Sequence, residues 1–90
     1  MKISEKTFKA LANEDRIQML KMIAKNKELC PNEIEQSFYL EQSTCSHHLN
    51  YLKRQGFLKS RREGRKQFYS VNFDTFQEVS DFMKAIIYDQ

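Results

Sequence analysis

Between residues 42 and 71 the spacing of apolar side chains changes from that of a helix to that of a strand, and a glycine sits at the change. In the segment 42–55, Cys45, Leu49 and Leu52 repeat at helical spacing. Gly56 ends that run, because the position just past a helix end favours a left-handed backbone that glycine adopts without penalty. Beyond it the period is two. Residues 57–62 and 66–71 read as strands joined by Glu63-Gly64-Arg65, a β-hairpin with a cationic tip. A helix that runs straight into a small basic hairpin strongly limits the architectures open to the chain.

The remaining segments read as helices, each with its own start signal. Ser4 can cap a helix over 5–12, with Ile3 and Phe8 at the two positions of a hydrophobic staple. Asn13 can cap a second that runs through Asn26. On its wheel Ile17, Met19, Leu20, Ile23 and Ala24 fill more than half the circumference, which predicts a central, largely buried helix. Pro31 suits the first turn of a third helix over 31–38, where its missing N–H costs nothing. Glu33 there meets the helix dipole, Leu29 and Ile34 make a staple pair, and Phe38 shares the inner face with Ile34. A last helix over 74–89 has Asp74 and Gln77 at capping-box spacing. Only two glycines and one proline occur in 90 residues, which disfavours a many-turned β fold. The expected fold is mainly α with one hairpin, in the order α-α-α-α-β-β-α, as a single winged helix-turn-helix domain over residues 1–90.

Charge then points to a partner. Lys53, Arg54, Lys59, Arg61, Arg62, Arg65 and Lys66 face the single acid Glu63, six net positive charges in fourteen residues. The whole chain carries only +3, so the body is mildly acidic. A concentrated basic stretch on such a body suits a polyanion. With the Cys45 stripe turned inward, Ser43, His47, Asn50 and Arg54 fall about 140–200° away on the wheel. Gln42, Thr44 and Ser46 flank them near the helix start. This face has donors and small hydroxyls and no acid, as base edges and phosphates require. The expected DNA contacts are therefore Gln42, Ser43, Thr44, Ser46, His47, Asn50 and Arg54 from the helix, with Arg61, Arg62, Arg65 and Lys66 on the hairpin neutralising phosphates. A chain this short buries only about 60–65% of its unfolded surface, so a second copy would help it. The apolar residues Ile3, Phe8 and Leu11 near the start, and Phe76, Val79, Phe82, Met83, Ile86 and Ile87 near the end, are expected to form a homodimer seam from segments 3–12 and 74–89.

These residues meet a known pattern. Phe8-Lys9-Ala10-Leu11-Ala12-Asn13, with Arg16, Ile17 and Leu20 after it, resembles the opening of ArsR-type bacterial repressors. So do Gln42-Ser43-Thr44-Cys45-Ser46-His47-His48-Leu49 with Leu52, Gly56, Arg61-Arg62-Glu63-Gly64-Arg65 and Tyr69-Ser70-Val71. The resemblance covers about residues 8 to 72. It implies a dimer held by its first and last helices, a recognition helix at 42–55, and repression by blocking a promoter. Such repressors often release DNA when a metal, metalloid or oxidant binds. Glu28-Leu29-Cys30 is similar to the start of the family's arsenic-sensing motif, but Asn32 stands where its second cysteine belongs. The last helix has no histidine, unlike zinc-sensing relatives.

One thiolate and an amide do not make a soft-metal site, so no metal site and no cofactor are expected. Cys30 reads as a weak helix cap, and Cys45 as core. His48, at the edge of the inward face, reads as a satisfied boundary histidine, and the aromatic set Phe68, Tyr69, Phe73 and Phe76 as core. No apolar run approaches a membrane span and no signal-peptide pattern opens the chain, so a cytoplasmic location with reduced cysteines is expected. No nucleophile–base set or phosphate-cradling glycine loop argues for an enzyme. Two alternatives to a plain repressor stay open: a thiol-, metalloid- or metal-responsive sensor with an unidentified effector, and a winged helix used only for protein contacts.

Overall fold

The computed structural model describes residues 2–89. Its elements are α1 (Glu5–Leu11), α2 (Glu14–Asn26), α3 (Pro31–Phe38), α4 (Gln42–Arg54), β1 (Leu58–Glu63), β2 (Lys66–Val71) and α5 (Phe73–Tyr88). This is the order that the periodicity predicts, a mainly helical winged helix-turn-helix.

The helix ends follow from local chemistry. The Ser4 backbone N–H donates to Thr7 Oγ1 at 3.1 Å, and the Asn13 side chain accepts from the Arg16 N–H at 3.0 Å. Cys30 is the N-cap of α3, with Pro31 at the first helical position. Its N–H donates to Glu33 Oε1 at 3.0 Å, so Glu33 supplies the returning half of a capping box as well as a charge for the dipole. At the end of α4, Gly56 has φ +89°. Its N–H donates to the Lys53 carbonyl at 3.0 Å and the Phe57 N–H to the Leu52 carbonyl at 2.9 Å. That pair of bonds is a Schellman motif, and its apolar partners Leu52 and Phe57 are both fully buried.

The core is built from Met19, Leu20 and Ile23 of α2, Ile34 of α3, Cys45, Leu49 and Leu52 of α4, then Phe57, Leu58, Tyr69, Val71 and Val79. The central position of α2 holds, but its buried arc is narrower than the wheel predicts. Ala24 is exposed and Ile17 half-buried, while Arg16 is buried beside them. The arc shifts because the inner flank of α2 carries a cation that its neighbours satisfy.

β1 and β2 pair antiparallel from Leu58↔Val71 to Glu63↔Lys66. Gly64, φ +63°, opens the two-residue turn, a position where glycine relieves the positive φ. The free edge of β2 is partly covered: Leu29 and Tyr69 exchange backbone bonds of 3.1 and 2.9 Å. The chain before α3 thus ties the hairpin to the body.

α5 starts one residue earlier than the sequence suggests, at Phe73 with Asn72 as N-cap. The capping box expected from Asp74 and Gln77 does not form, and Gln77 Nε2 donates to Asp81 Oδ1 at 2.9 Å instead. The reason is a competing anchor. Thr75 Oγ1 donates to the Gly56 carbonyl at 2.6 Å, and the Asn72 N–H to the Phe57 carbonyl at 2.9 Å, which fixes the helix start against the Schellman turn.

Candidate nucleic-acid interface

The two faces of α4 separate cleanly. Cys45, Leu49 and Leu52 are buried, and Gln42, Ser43, Thr44, His47, Asn50 and Arg54 are exposed. Ser46 is half-buried. The helix therefore presents a continuous polar edge with its N-terminal N–H groups free of any side-chain cap.

The hairpin carries its cations on two faces. Residues paired across antiparallel strands share a side, and sides alternate along each strand. Arg62 and Gln67 thus share the face of Ser60, Tyr69, Leu58 and Val71, which looks onto the body. Arg62, Arg65, Lys66 and Gln67 border a groove of about 580 Å³ whose other wall includes Pro31, Asn32 and the acids Glu33 and Glu35 of α3, with Gln42 and Ser46 of α4. Of the residues expected to bind DNA, the structure brings Gln42, Ser46, Arg62, Arg65 and Lys66 together around this groove. The rest of the α4 set lies along the exposed edge.

Arg61 stands apart. It lies on the opposite face, paired with Phe68, and its guanidinium carbon sits 4.6 Å from the centre of that ring. Its Nε and Nη2 donate to the two Glu28 oxygens at 2.7 and 2.8 Å, and Nη1 donates to Glu63 Oε2 at 2.9 Å. This hydrogen bonding holds the Glu28 carboxyl below the usual carboxylate range and pushes the Arg61 guanidinium further up. Arg61 is thus charge-compensated within the protein. It braces the hairpin against the loop before α3, whereas Arg62, Arg65 and Lys66 are exposed beside the groove.

His48 is buried, 8% exposed, on the underside of α4. Its Nδ1 lies 3.2 Å from Arg16 Nη1. A guanidinium can only donate, so Nδ1 accepts and the ring is the neutral tautomer with its proton on Nε2. Burial, reinforced by the Arg16 charge, lowers its pKa. Sequence reasoning saw a boundary histidine but not its partner. The missed signal was an arginine among the inward-facing apolar positions of α2.

Both thiols are held protonated. Burial pushes Cys45 up to about 11, and partial burial with the adjacent Glu33 carboxylate raises Cys30. Lys66 and Arg61 pull the Cys30 thiol the other way but do not outweigh burial and Glu33, so neither thiol is activated. Among the described residues no three His, Cys, Asp or Glu side chains gather in a way that could hold a metal ion. No helix among them is long and apolar enough to cross a membrane.

The aromatic set divides. Tyr69 is core and Phe76 packs on Phe57 with ring centroids 5.1 Å apart, but Phe73 is 70% exposed. Phe68 lies half-buried under Arg61. The apolar residues at the two ends also divide. Val79 is buried within the chain itself, and Ile3, Phe8, Leu11 and Phe76 pack partly against the core. Phe82, Met83, Ile86 and Ile87 are exposed, and the Phe8 and Phe82 rings meet at 5.9 Å.

Comparison with known proteins places this geometry in a family. Residues 13–60 match the bacterial regulatory protein, arsR family. An uncharacterised HTH-type transcriptional regulator of Methanocaldococcus jannaschii is 39% identical over 72 residues, 80% of this chain and 81% of that protein. An arsenic resistance transcriptional regulator of Pseudomonas putida is 34% identical over 80 residues, 89% of this chain but 62% of that protein. Among solved structures, the HlyU protein of Vibrio cholerae is similar with a TM-score of 0.71 and 31% identity, over 94% of this chain and 90% of that one. An ArsR-like transcriptional regulator from Rhodococcus shares the fold with a TM-score of 0.81 at 20% identity, over 90% of this chain and 76% of that one. These relatives are regulators of transcription rather than enzymes. A helix-turn-helix pair, a basic hairpin and these matches together make the chain a member of the ArsR family of DNA-binding transcriptional regulators.

Proposed function

We propose that the protein is a sequence-specific, double-stranded-DNA-binding repressor that acts as a homodimer in the cytoplasm on an inverted-repeat operator. The observation that carries this reading is the division of α4. Its apolar stripe is buried, and the opposite edge, with Gln42, Ser43, Thr44, His47, Asn50 and Arg54, is open to solvent beside the cationic hairpin tip. An α-helix fits the major groove, and the amide, imidazole and hydroxyl groups on this edge match the donors and acceptors of base edges there. Arg62, Arg65 and Lys66 reach phosphates on either side and fix the register. Two copies related by a twofold axis would place their α4 helices in successive grooves, with half-sites about 10–10.5 bp apart or a multiple of that.

The dimer seam would be the exposed end of α5, namely Phe82, Met83, Ile86 and Ile87, extended by Phe8 and its α1 neighbours Ile3 and Leu11. Val79 and Phe76 support it from within the chain.

Selection of promoter fragments by the purified protein at physiological salt, followed by anisotropy titrations, tests the reading. The expected product is an inverted repeat bound with a steep salt dependence. Arg65→Ala should weaken binding to all sequences about equally and reduce the salt slope by about one. His47→Ala should instead change which bases are preferred. If no duplex is retained even at low salt, the proposed function fails.

A further inference from the structure

The Arg16 side chain joins three helices. It lies on α2 and is 9% exposed. Its Nε donates to the Ala10 carbonyl at 2.8 Å and its Nη2 to the Lys9 carbonyl at 2.9 Å, both in the last turn of α1. Its Nη1 donates to His48 Nδ1 of α4 at 3.2 Å, and its guanidinium carbon sits 4.7 Å from the centre of the Tyr51 ring, also on α4. The cation caps a helix C-terminus, where unpaired carbonyls and the dipole favour positive charge. A further N–H and its π face go to the underside of α4, where His48 is one residue from His47 and Tyr51 is one from Asn50 and three from Arg54.

We propose that Arg16, acting through His48 and Tyr51, is the positioning residue that sets the pose of α4, and that protonation of His48 releases it. The proposal rests on the reading of α4 as the DNA-reading helix. A protonated imidazole has two N–H donors and no acceptor, so the Arg16 bond cannot survive. Two cations would then face each other in a half-dry site, and one must move. The charges around His48 are Arg16 and Asp15 from α2 and His47 on α4. Arg16 and His47 oppose its protonation, and Asp15 alone favours it. From α1 only the carbonyls of Lys9 and Ala10 enter the cluster, since the Lys9 ammonium pairs with Glu5 at 3.1 Å on the surface. The folded state lowers the affinity of His48 for a proton, so the unfolded chain binds more protons below about pH 6.5. The clamp is therefore complete above about pH 6.5 and is lost as the pH falls through the folded value.

The test uses the full chain, labelled for NMR, and the operator duplex at pH 7.5 and 5.5. On titration, the amides of α4 and of the α1 C-terminus should shift together with the His48 imidazole. Operator affinity should fall over the same range by less than about tenfold, the most that one proton held below the ordinary imidazole value can give there. His48→Gln keeps an acceptor for Arg16 but does not titrate. It should bind within about threefold of the parent at pH 7.5 and lose the acid-induced fall. Arg16→Lys, folded by circular dichroism, should lose binding at pH 7.5 because it cannot serve α1 and α4 together. If α4 amides ignore the His48 titration, or His48→Gln retains the parent's pH profile, the clamp is overturned. If the amides shift as expected and no duplex binds at either pH, the DNA-reading role of α4 fails and the clamp stands.

Discussion

At the scale of single residues, pairing decides which cations stay available to a partner: Arg61 is held by Glu28 and Glu63, while Arg62, Arg65 and Lys66 stand exposed. Gln42, Ser43, His47 and Asn50 were legible because one helix sets their direction, and 100° per residue is enough to separate them from Cys45 and Leu49. Arg16 with His48 and Arg61 with Glu28 were not legible. Their partners lie 32 and 33 residues apart, and only the packed fold brings them together. Arg61 shows the consequence, since by sequence it is one cation of a basic run and by structure it is already neutralised. Replacing both of its acids, Glu28→Gln with Glu63→Gln, should therefore release a cation. The expected result is tighter sequence-independent DNA binding with a salt slope steeper by about one, measured by anisotropy over a salt series. In the parent protein the lowered Glu28 carboxyl gives a pair that is fully present above about pH 4.3 and lost as the pH falls through its lower, folded value. Because the pair is solvent-exposed, its loss should change hairpin order more than global stability.

At the scale of elements, the strongest local signals marked the boundaries that held. Pro31 opened α3, Gly56 closed α4 and Gly64 turned the hairpin, each because backbone geometry there admits few residue types. The start of α5 was misread because Asp74 and Gln77 imitate a capping box. The true start is set by tertiary bonds from Asn72 and Thr75 to the Gly56–Phe57 turn, which no local pattern encodes. The same holds for the Leu29–Tyr69 bridge. The turn at Gly56 thus serves three elements: it ends α4, begins the strand and receives α5. Gly56→Ala places a Cβ at φ +89° and should destabilise the fold by about 1–2 kcal/mol. Thermal unfolding should show a midpoint lower by about 4–8 °C per kcal/mol, with far-UV helicity unchanged at low temperature. An unchanged midpoint would mean that the left-handed geometry is not required at this position.

At the scale of the whole molecule, the distribution of apolar surface argues for a second copy. The folded chain is 48 Å long and 24 by 20 Å across. α5 is buried through Thr75 and Val79 near its start, and then leaves Phe82, Met83, Ile86 and Ile87 in solvent, the last two more than 60% exposed. Fully burying one such side chain is worth about 1.5–3 kcal/mol, so four of them on each copy can offset the entropic cost of association. The Phe8–Phe82 contact continues this surface onto α1. The α1 end is the same one that Arg16 bonds, so a partner seated there would bear on the support of α4. Ile86→Glu with Ile87→Glu places two acids on the seam of each copy, and they would face like charges across a twofold axis. Sedimentation should show the parent as a dimer at micromolar concentration and the double variant as a folded monomer. The variant should lose affinity for an inverted repeat by at least about a hundredfold and bind an isolated half-site as the parent does, because α4 and the hairpin are untouched and only the linkage of two half-sites is lost. A variant that still sediments as a dimer would move the seam elsewhere on the surface and leave the exposed end of α5 without a function.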